Sequence, residues 1–442
     1  MACQNNEIVV VGGGLVGCLA AIFWAKRGYQ VDLYEMREDF RLLENTRGKS
    51  INLALSSRGI LSLKHAGLDD EVTNYGIPMY GRMIHSVNGE CSSQAYSPNG
   101  EGLLSIDRIT VNKVLITAAE KYKNIHFHFR HKLKSAVLSR RELKFDSVKH
   151  GEIMINAKTI LGCDGAYSRV RQSMMREARL NYLQSYIGHV YVELIIPPRK
   201  DGEFAIEPNY LHIWPRETLM LIALPNLDKS FTCTLFIPLA MKEELITEKH
   251  VLDLFATYFP DVIDLIGSHS ICHDILNNPA DELVYIKCDP HHYADHTILL
   301  GDAAHAFVPF YGQGLNCGFE DCLVLDRILV ANGFDLEKSF QQYSETRIRD
   351  TDSICDLSLY NYHEMRSHVN SKVYLLRRAI DNVIFRLLPN TYIPLYTMVT
   401  FSDIPYHAVV HRHHLQTKIL YGTLLALIIA IGIALAIYCY GI

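Results

Sequence analysis

Residues 7–11 form a short apolar run that ends in glycines, and they predict a buried strand. Helical spacing follows over 15–27, Gly28 stops it, and 31–35 make a second strand, so a βαβ unit opens the chain. Residues 57–66 and 110–122 carry helical patterns, while 125–129 and 159–162 read as further strands. The middle changes character. Residues 190–196, 210–214, 218–223 and 231–237 are β-rich, with turn signals such as Pro208-Asn209 and Asn226 to Asp228 between them. Consecutive strands of this kind predict an antiparallel sheet. A buried strand returns at 297–300, followed by Gly301-Asp302, and helical patterns occupy 319–332 and 350–388. The reading is an α/β fold: a Rossmann-like domain over 1–180 and 286–345, interrupted by an antiparallel-sheet domain over 181–285, then a helical region over 346–418. No repeat, low-complexity tract or long linker breaks this order.

The extreme C-terminus differs. Residues 419–442 hold no charge. As a helix they span roughly 36 Å, enough to cross a hydrocarbon core of about 30 Å. The run is apolar all round, whereas a buried core helix usually keeps a polar face. A transmembrane anchor is expected, and Lys418 and Arg412 ahead of it argue that the body stays cytosolic.

Composition adds exclusions. The 442 residues are 49% hydrophobic and 21% charged, ordinary for a globular chain with ample core. A net charge of -5 offers no electrostatic footprint for nucleic acid. Eleven cysteines include no CxxC pair, and the apolar run reached at Ile8 leaves no room for a signal peptide; free thiols in a reducing setting are expected. Histidines cluster only at His291-His292 and over 411–414, without cysteine or carboxylate at zinc spacing, so no metal is expected.

The chemistry begins at Gly12-Gly13-Gly14-Leu15-Val16-Gly17, a GxGxxG turn between strand and helix. Gly12 permits the tight turn, Gly14 lets backbone approach a pyrophosphate, and Gly17 allows close helix–strand packing. The helix N-terminus supplies amide donors for phosphates. Glu35 closes the second strand, where its carboxylate can accept ribose hydroxyls. Arg37 just beyond it suits a 2′-phosphate, so these residues alone leave FAD and NAD(P) both open.

Two further turns narrow the choice. Gly162-Cys163-Asp164-Gly165, running on through Arg169, follows one strand, and Gly301-Asp302-Ala303-Ala304-His305 follows another. Pro309-Phe310-Tyr311-Gly312-Gln313-Gly314-Leu315-Asn316 then forms a glycine-rich turn. The three in this order resemble the motifs of the FAD-containing aromatic hydroxylases. Residues 47–56 (RGKSINLALS), 82–86 (RMIHS), 208–215 (PNYLHIWP), 229–238 (KSFTCTLFIP) and 394–401 (PLYTMVTF) are closer still, and resemble the kynurenine 3-monooxygenase family from about Ile8 to His413.

This resemblance implies an FAD-binding domain interrupted by a substrate domain. It implies conversion of L-kynurenine to 3-hydroxy-L-kynurenine with NADPH and O₂, through a flavin C4a-hydroperoxide. FAD stays bound; NADPH docks transiently and has no Rossmann domain of its own. Besides Gly12, Gly14, Leu15, Val16, Gly17, Glu35 and Arg37, cofactor contacts are implied at Ala54, Arg108, Leu133, Asp164, Arg169, Asp302, Gly314, Leu315 and Asn316. Asp302 would accept a ribityl hydroxyl, and the amides that open the helix after Gly312 would meet the flavin edge where electron density accumulates. Arg82, Tyr96, Asn361 and Tyr396 fall where the family binds kynurenine, and the Arg82 fork suits a carboxylate. Pro309, Phe310 and Gln313 would wall the oxygen-transfer point, with His305 packed behind its turn. The protein's contribution is then orientation and exclusion of water, with no acid–base pair.

Leu315 and Cys317 stand where the family suggests Met and Ala, and Tyr311 where Phe is frequent; Cys317 is expected near the flavin. The tail matches members on the mitochondrial outer membrane, with the body facing the cytosol. Three rival readings remain at this stage: a hydroxylase of another aromatic, an epoxidase of a lipid, and a non-enzymatic membrane flavoprotein scaffold. A lipid substrate predicts an apolar entrance beside the span and no role for Arg82.

Overall fold

In the computed structural model, residues 5–42, 52–368, 372–389 and 391–440 are described; the 47–51 part of the RGKSINLALS stretch and the final residues 441–442 of the apolar run lie outside them. The strand Asn5–Val11 lies between Gly151–Gly162 and Val31–Glu35, parallel to both. Ile125–Phe129 and Thr297–Leu299 extend this sheet in parallel on either side. Chain order therefore reverses at the first strand, and the crevice at its carboxyl end is where such sheets bind ligands. The helix Leu15–Lys26 starts there and is buried along almost its whole length.

The second sheet has seven strands, with antiparallel neighbours over Asn181–Ile196, Phe231–Pro238, Leu219–Pro225 and Tyr210–Arg216. Its two-residue period sorts side chains by face. Leu219, Leu221 and Ala223 pack with the helices Glu248–Tyr258, Pro260–Ile266 and Ser268–Asn277, while Met220, Ile222 and Leu224 face the other way, toward Phe310 and Tyr362. That second face roofs the crevice. The sheet also takes in Gly81–His85 and Cys91–Ala95 from the segment the sequence assigns to the first domain, and the expected boundary at 285/286 falls inside the strand Asp281–Asp289.

Two helices begin earlier than their patterns suggest. Gly314–Ala331 starts five residues ahead of 319–332 because Gly318 lies inside the helix, where a Cβ would sit 2.6 Å from Val16 Cγ2. Leu336–His363 is capped by Asp335, which accepts from the Lys338 amide at 3.1 Å. It widens into a π turn at Glu364–His368, and Lys372–Leu387 follows. The last helix, Tyr406–Tyr440, is long and apolar enough to cross a membrane, and none of its most apolar stretch is buried.

A buried histidine pair bridges the parallel strands Gly81–His85 and Tyr210–Arg216. His85 Nε2 lies 2.8 Å from His212 Nδ1, and Trp214 stacks on His85 with ring centroids 4.0 Å apart. Burial pushes each imidazole down to about 4. Such groups bind fewer protons folded than unfolded. Their contribution is complete above the ordinary value near 6.5 and is lost as pH falls toward 4. The pair's contribution should be flat above about pH 7, and the melting temperature should fall between about pH 6.5 and 4, as on the order of 3 kcal/mol in stability is lost from each imidazole. A His212→Asn variant should shallow that acid limb; an unchanged limb would show that the pair is not its source.

Candidate active site

The glycine turn combines a left-handed residue, an open face and a close approach. Gly12 has φ +105°, outside the reach of most side chains, and a Cβ on Gly17 would sit 1.9 Å from the Gly12 carbonyl oxygen. A Cβ on Gly14 would meet nothing within 4 Å, because that face opens to the crevice. Glu35 is buried and held by backbone: Gly13 N donates to Oε2 at 2.7 Å and Arg37 N to Oε1 at 2.8 Å. Each oxygen keeps a lone pair for a further donor. The Arg37 side chain is exposed, over the ring of Phe40.

One crevice then gathers most of the expected residues. Gly14, Leu15, Val16, Ala54, Arg82, Tyr96, Arg108, Asp302, Pro309, Phe310, Gly314, Leu315 and Tyr396 all line it, roofed by Leu211, Ile222 and Leu224. Asp302 is exposed there, with no protein partner among the described residues. The helix Gly314–Ala331 aims its N-terminus at the same space, and its first-turn amides have no acceptor within the helix. An open Gly14 face, a pinned acidic residue, a free carboxylate and a helix N-terminus together fit FAD. Its pyrophosphate, ribose, ribityl chain and pyrimidine edge each find matching groups.

Other expected residues stand back from the crevice. Asp164 Oδ2 accepts the amides of Arg169 at 2.6 Å and Val170 at 3.2 Å, so it caps the helix Arg169–Glu177. Burial raises its carboxyl, Oδ1 has no partner among the described residues, and only its neighbours Cys163 and Gly165 reach the wall. The Arg169 side chain donates to Gln172 at 2.9 Å. Leu133 is core, packed with Val9, Tyr34 and Phe145. Asn316 is a tie: Oδ1 accepts from Ser56 N at 2.8 Å, and Nδ2 donates to the carbonyls of Ala54 at 2.8 Å and Gly312 at 2.7 Å. Gln313 is buried and absent from the wall, which Pro309 and Phe310 form without it.

The expectation for Cys317 is corrected. Its thiol turns away from the crevice, and Arg347 Nη2 lies 3.2 Å from Sγ. The same guanidinium reaches Asp321 Oδ1 at 2.8 Å and Glu320 at 3.0 Å. Asp321 Oδ2 in turn meets His305 Nε2 at 2.6 Å and the Gly301 amide at 2.9 Å. Burial pushes the Asp321 carboxyl up, but His305 and Arg347 outweigh it and hold it well below the usual range. Among the described residues, His305, Cys317 and Asp321 bring ligand atoms together, yet Arg347 already supplies the positive charge. This cluster braces the Gly301-Asp302 turn from behind.

At the far end of the crevice Arg82 is 4% exposed, with its guanidinium 4.9 Å from the Tyr396 ring centroid. Tyr96 and Tyr311 stack on either side of Tyr396, at 5.3 Å and 5.5 Å. Arg82, Tyr96, Tyr311 and Tyr396 also line a second chamber, with Asn361, Arg377, Arg378 and Asp381 on its other walls. Asn361 Nδ2 donates to the Phe310 carbonyl at 2.7 Å, so it positions the wall. Glu364, which the sequence reading did not single out, accepts from Arg82 at 3.3 Å and from the Tyr374 hydroxyl at 2.8 Å. The available signal was its place one turn past Asn361; the π turn that presents it had none.

Comparison with known proteins agrees with this geometry. The chain matches the FAD binding domain family over residues 5–259 and 284–356. It is 49% identical over 430 residues to the kynurenine 3-monooxygenase of Sus scrofa, covering 96% of this chain and 91% of that one. For the kynurenine 3-monooxygenase of Anopheles gambiae the figures are 47% over 438 residues, with 98% and 90% covered. Among solved structures, 2-methyl-3-hydroxypyridine-5-carboxylic acid oxygenase superposes with a TM-score of 0.67 at 22% identity, covering 84% of this chain and 95% of that one. PqsL of Pseudomonas aeruginosa in complex with 2-aminobenzoylacetate gives 0.64 at 17%, with 82% and 97% covered. At those identities the structures speak for the fold.

Proposed function

The chain belongs to the kynurenine 3-monooxygenase family of FAD-dependent hydroxylases, and from that membership we propose that it converts L-kynurenine to 3-hydroxy-L-kynurenine with NADPH and O₂. The observation that carries this reading is the single crevice, with the glycine turn and Asp302 at one end and buried Arg82 at the other. FAD supplies hydride acceptance and oxygen activation when bound. The chain's own residues do the rest. Gly14 and the helix opening at Gly314 bind the cofactor's phosphates and pyrimidine edge. Arg82 takes the substrate carboxylate in two parallel bonds, and Glu364 beside it takes the ammonium group. That pins the amino-acid end and leaves the aromatic ring against Phe310 and Pro309. Ile222, Leu224 and Leu211 roof the space and exclude water. The substrate's own aniline nitrogen activates its ring, so no protein base is required.

A lipid substrate is disfavoured by the second chamber, whose walls carry Glu364, Arg377, Arg378 and Asp381. The deciding assay is NADPH oxidation by the purified yellow protein across a panel of aromatic amino acids. Oxidation should rise sharply with L-kynurenine alone and yield the 3-hydroxy product; equal stimulation by several, or none, would sink the reading.

The apolar C-terminal helix is proposed as an anchor in the mitochondrial outer membrane, with the catalytic body in the cytosol. A chain ending at Lys418 keeps the root of that helix, where Tyr406, Val409 and Gln416 are buried, and loses the exposed run. It should leave the membrane fraction while retaining FAD. Continued pelleting after alkaline carbonate would place the anchor elsewhere.

A further inference from the structure

The helix expected to anchor the protein starts inside the catalytic body. Its first residue, Tyr406, is fully buried, and its hydroxyl donates to Gln313 Oε1 at 2.9 Å. Gln313 immediately precedes the helix Gly314–Ala331, and its carbonyl accepts from Cys317 N at 2.8 Å. Gln313 Nε2 has no partner among the described residues, so the Tyr406 hydroxyl is what fixes that side chain there. Tyr406 is itself held on two sides. The Arg58 guanidinium lies 4.0 Å from its ring centroid, and Arg58 is pinned by Glu320 at 2.8 Å and the Val399 carbonyl at 3.0 Å. The next residue, His407, is bound through its amide to Asp350 at 3.0 Å.

We propose that Tyr406 is a positioning residue for the flavin edge: through Gln313 it sets where the first amides of the Gly314 helix point. Gly314 and Leu315 line the crevice, so a small tilt of that turn moves their N–H groups relative to the charge they stabilise. The proposal rests on the FAD reading. It gives the membrane helix a part in the reaction that its apolar run does not reveal. It also separates two halves of one helix: the buried root tunes the site, and the exposed run beyond Lys418 does not.

The test is a double-mutant cycle in the full-length, membrane-embedded enzyme, with Tyr406→Phe, Gln313→Leu and both together. Tyr406→Phe keeps the ring under Arg58 and removes only the hydroxyl. Three readouts are taken: amide hydrogen exchange at Gly314 and Leu315 without FAD, the reduction potential of bound flavin, and the ratio of peroxide to hydroxylated product. Loss of one neutral hydrogen bond should speed exchange by about fivefold and raise the peroxide ratio by a similar factor. The flavin potential should fall, with FAD content and membrane association kept. The double variant should add nothing to either single one. Wild-type exchange and potential in Tyr406→Phe, or additive effects, would overturn the proposal. Should Tyr406→Phe not accumulate, Gln313→Leu carries the same readouts. A wild-type protein that binds no FAD sinks the functional reading instead, and the exchange readout still decides the link between Tyr406 and the turn.

Discussion

Arg82→Met should cut kcat/KM for L-kynurenine by thirtyfold or more, with FAD content unchanged. The guanidinium is buried, its Nε has no partner among the described residues, and its bond to Glu364 is long at 3.3 Å. A substrate carboxylate arriving there gains a fork that is largely free. Removing it leaves that carboxylate buried and unpaired, a cost of about 2–5 kcal/mol. Arg82→Lys keeps charge but loses the planar geometry and should fall between. The measurement is a titration of L-kynurenine against its decarboxylated analogue. Wild type should strongly prefer the amino acid, and the Met variant should barely distinguish them. Arg82 also neutralises Glu364, so a second arm is needed. If that were its whole role, Arg82→Met with Glu364→Gln would recover wild-type preference; continued indifference assigns the carboxylate to Arg82.

Arg347→Met should destabilise the body by about 3–5 kcal/mol, because it strands Asp321 in the core. Asp321 is fully buried and has Glu320 beside it in sequence, and Arg347 is the guanidinium that pairs with both. The same loss loosens the Gly301-Asp302 turn, whose amide rests on Asp321, so FAD should dissociate more readily. Asp321 also gives this defect a pH signature. In wild type its lowered carboxyl contributes stability that is present above the ordinary carboxylate value and lost as pH falls through the folded one. The variant keeps the share that His305 and the Gly301 amide supply and loses the share of Arg347. The gap in melting temperature between the two should therefore narrow on acidification below about pH 4. A gap constant with pH would show that Arg347 acts through packing alone.

The nucleotide half of the fold was readable because its signals are local. Gly12, Gly14 and Gly17 sit in one turn, and the predicted 31–35, 57–66 and 125–129 coincide with the observed elements. The strand Cys91–Ala95 had no such signal. Four of its five residues are exposed, and only pairing with Gly81–His85 makes it a strand. The antiparallel strands were visible as apolar runs, but which face each residue took needed the helices of 248–277 to be placed. Side-chain direction was the main loss at the site. Periodicity brings Gln313, Asn316 and Cys317 to the opening of one helix, yet all three turn from the crevice toward tertiary partners far along the chain. Glu364 depends on a π turn, and Tyr406 on a contact across 93 positions. Neither leaves a pattern in its own neighbourhood.

The helix Tyr406–Tyr440 runs as one element and contains no proline to kink it. With its apolar run in a bilayer, the segment 406–418 is a mast of roughly 20 Å. Arg377 of the neighbouring helix reaches Thr417 at 3.5 Å and lies 5.4 Å from the Tyr421 ring centroid, which sets that helix at the height where the uncharged run begins. Its exposed Leu375, Leu376, Val383 and Leu387 would rest among the headgroups. So anchored, the body would drift in two dimensions and turn about one axis, and the second chamber, whose walls include Thr417 and Tyr421 at the foot of the apolar run, would lie close to the lipid surface. Such a chamber samples the surface potential and the surface proton concentration, so its dependence on salt and pH should follow the leaflet's charge as much as the bulk buffer's.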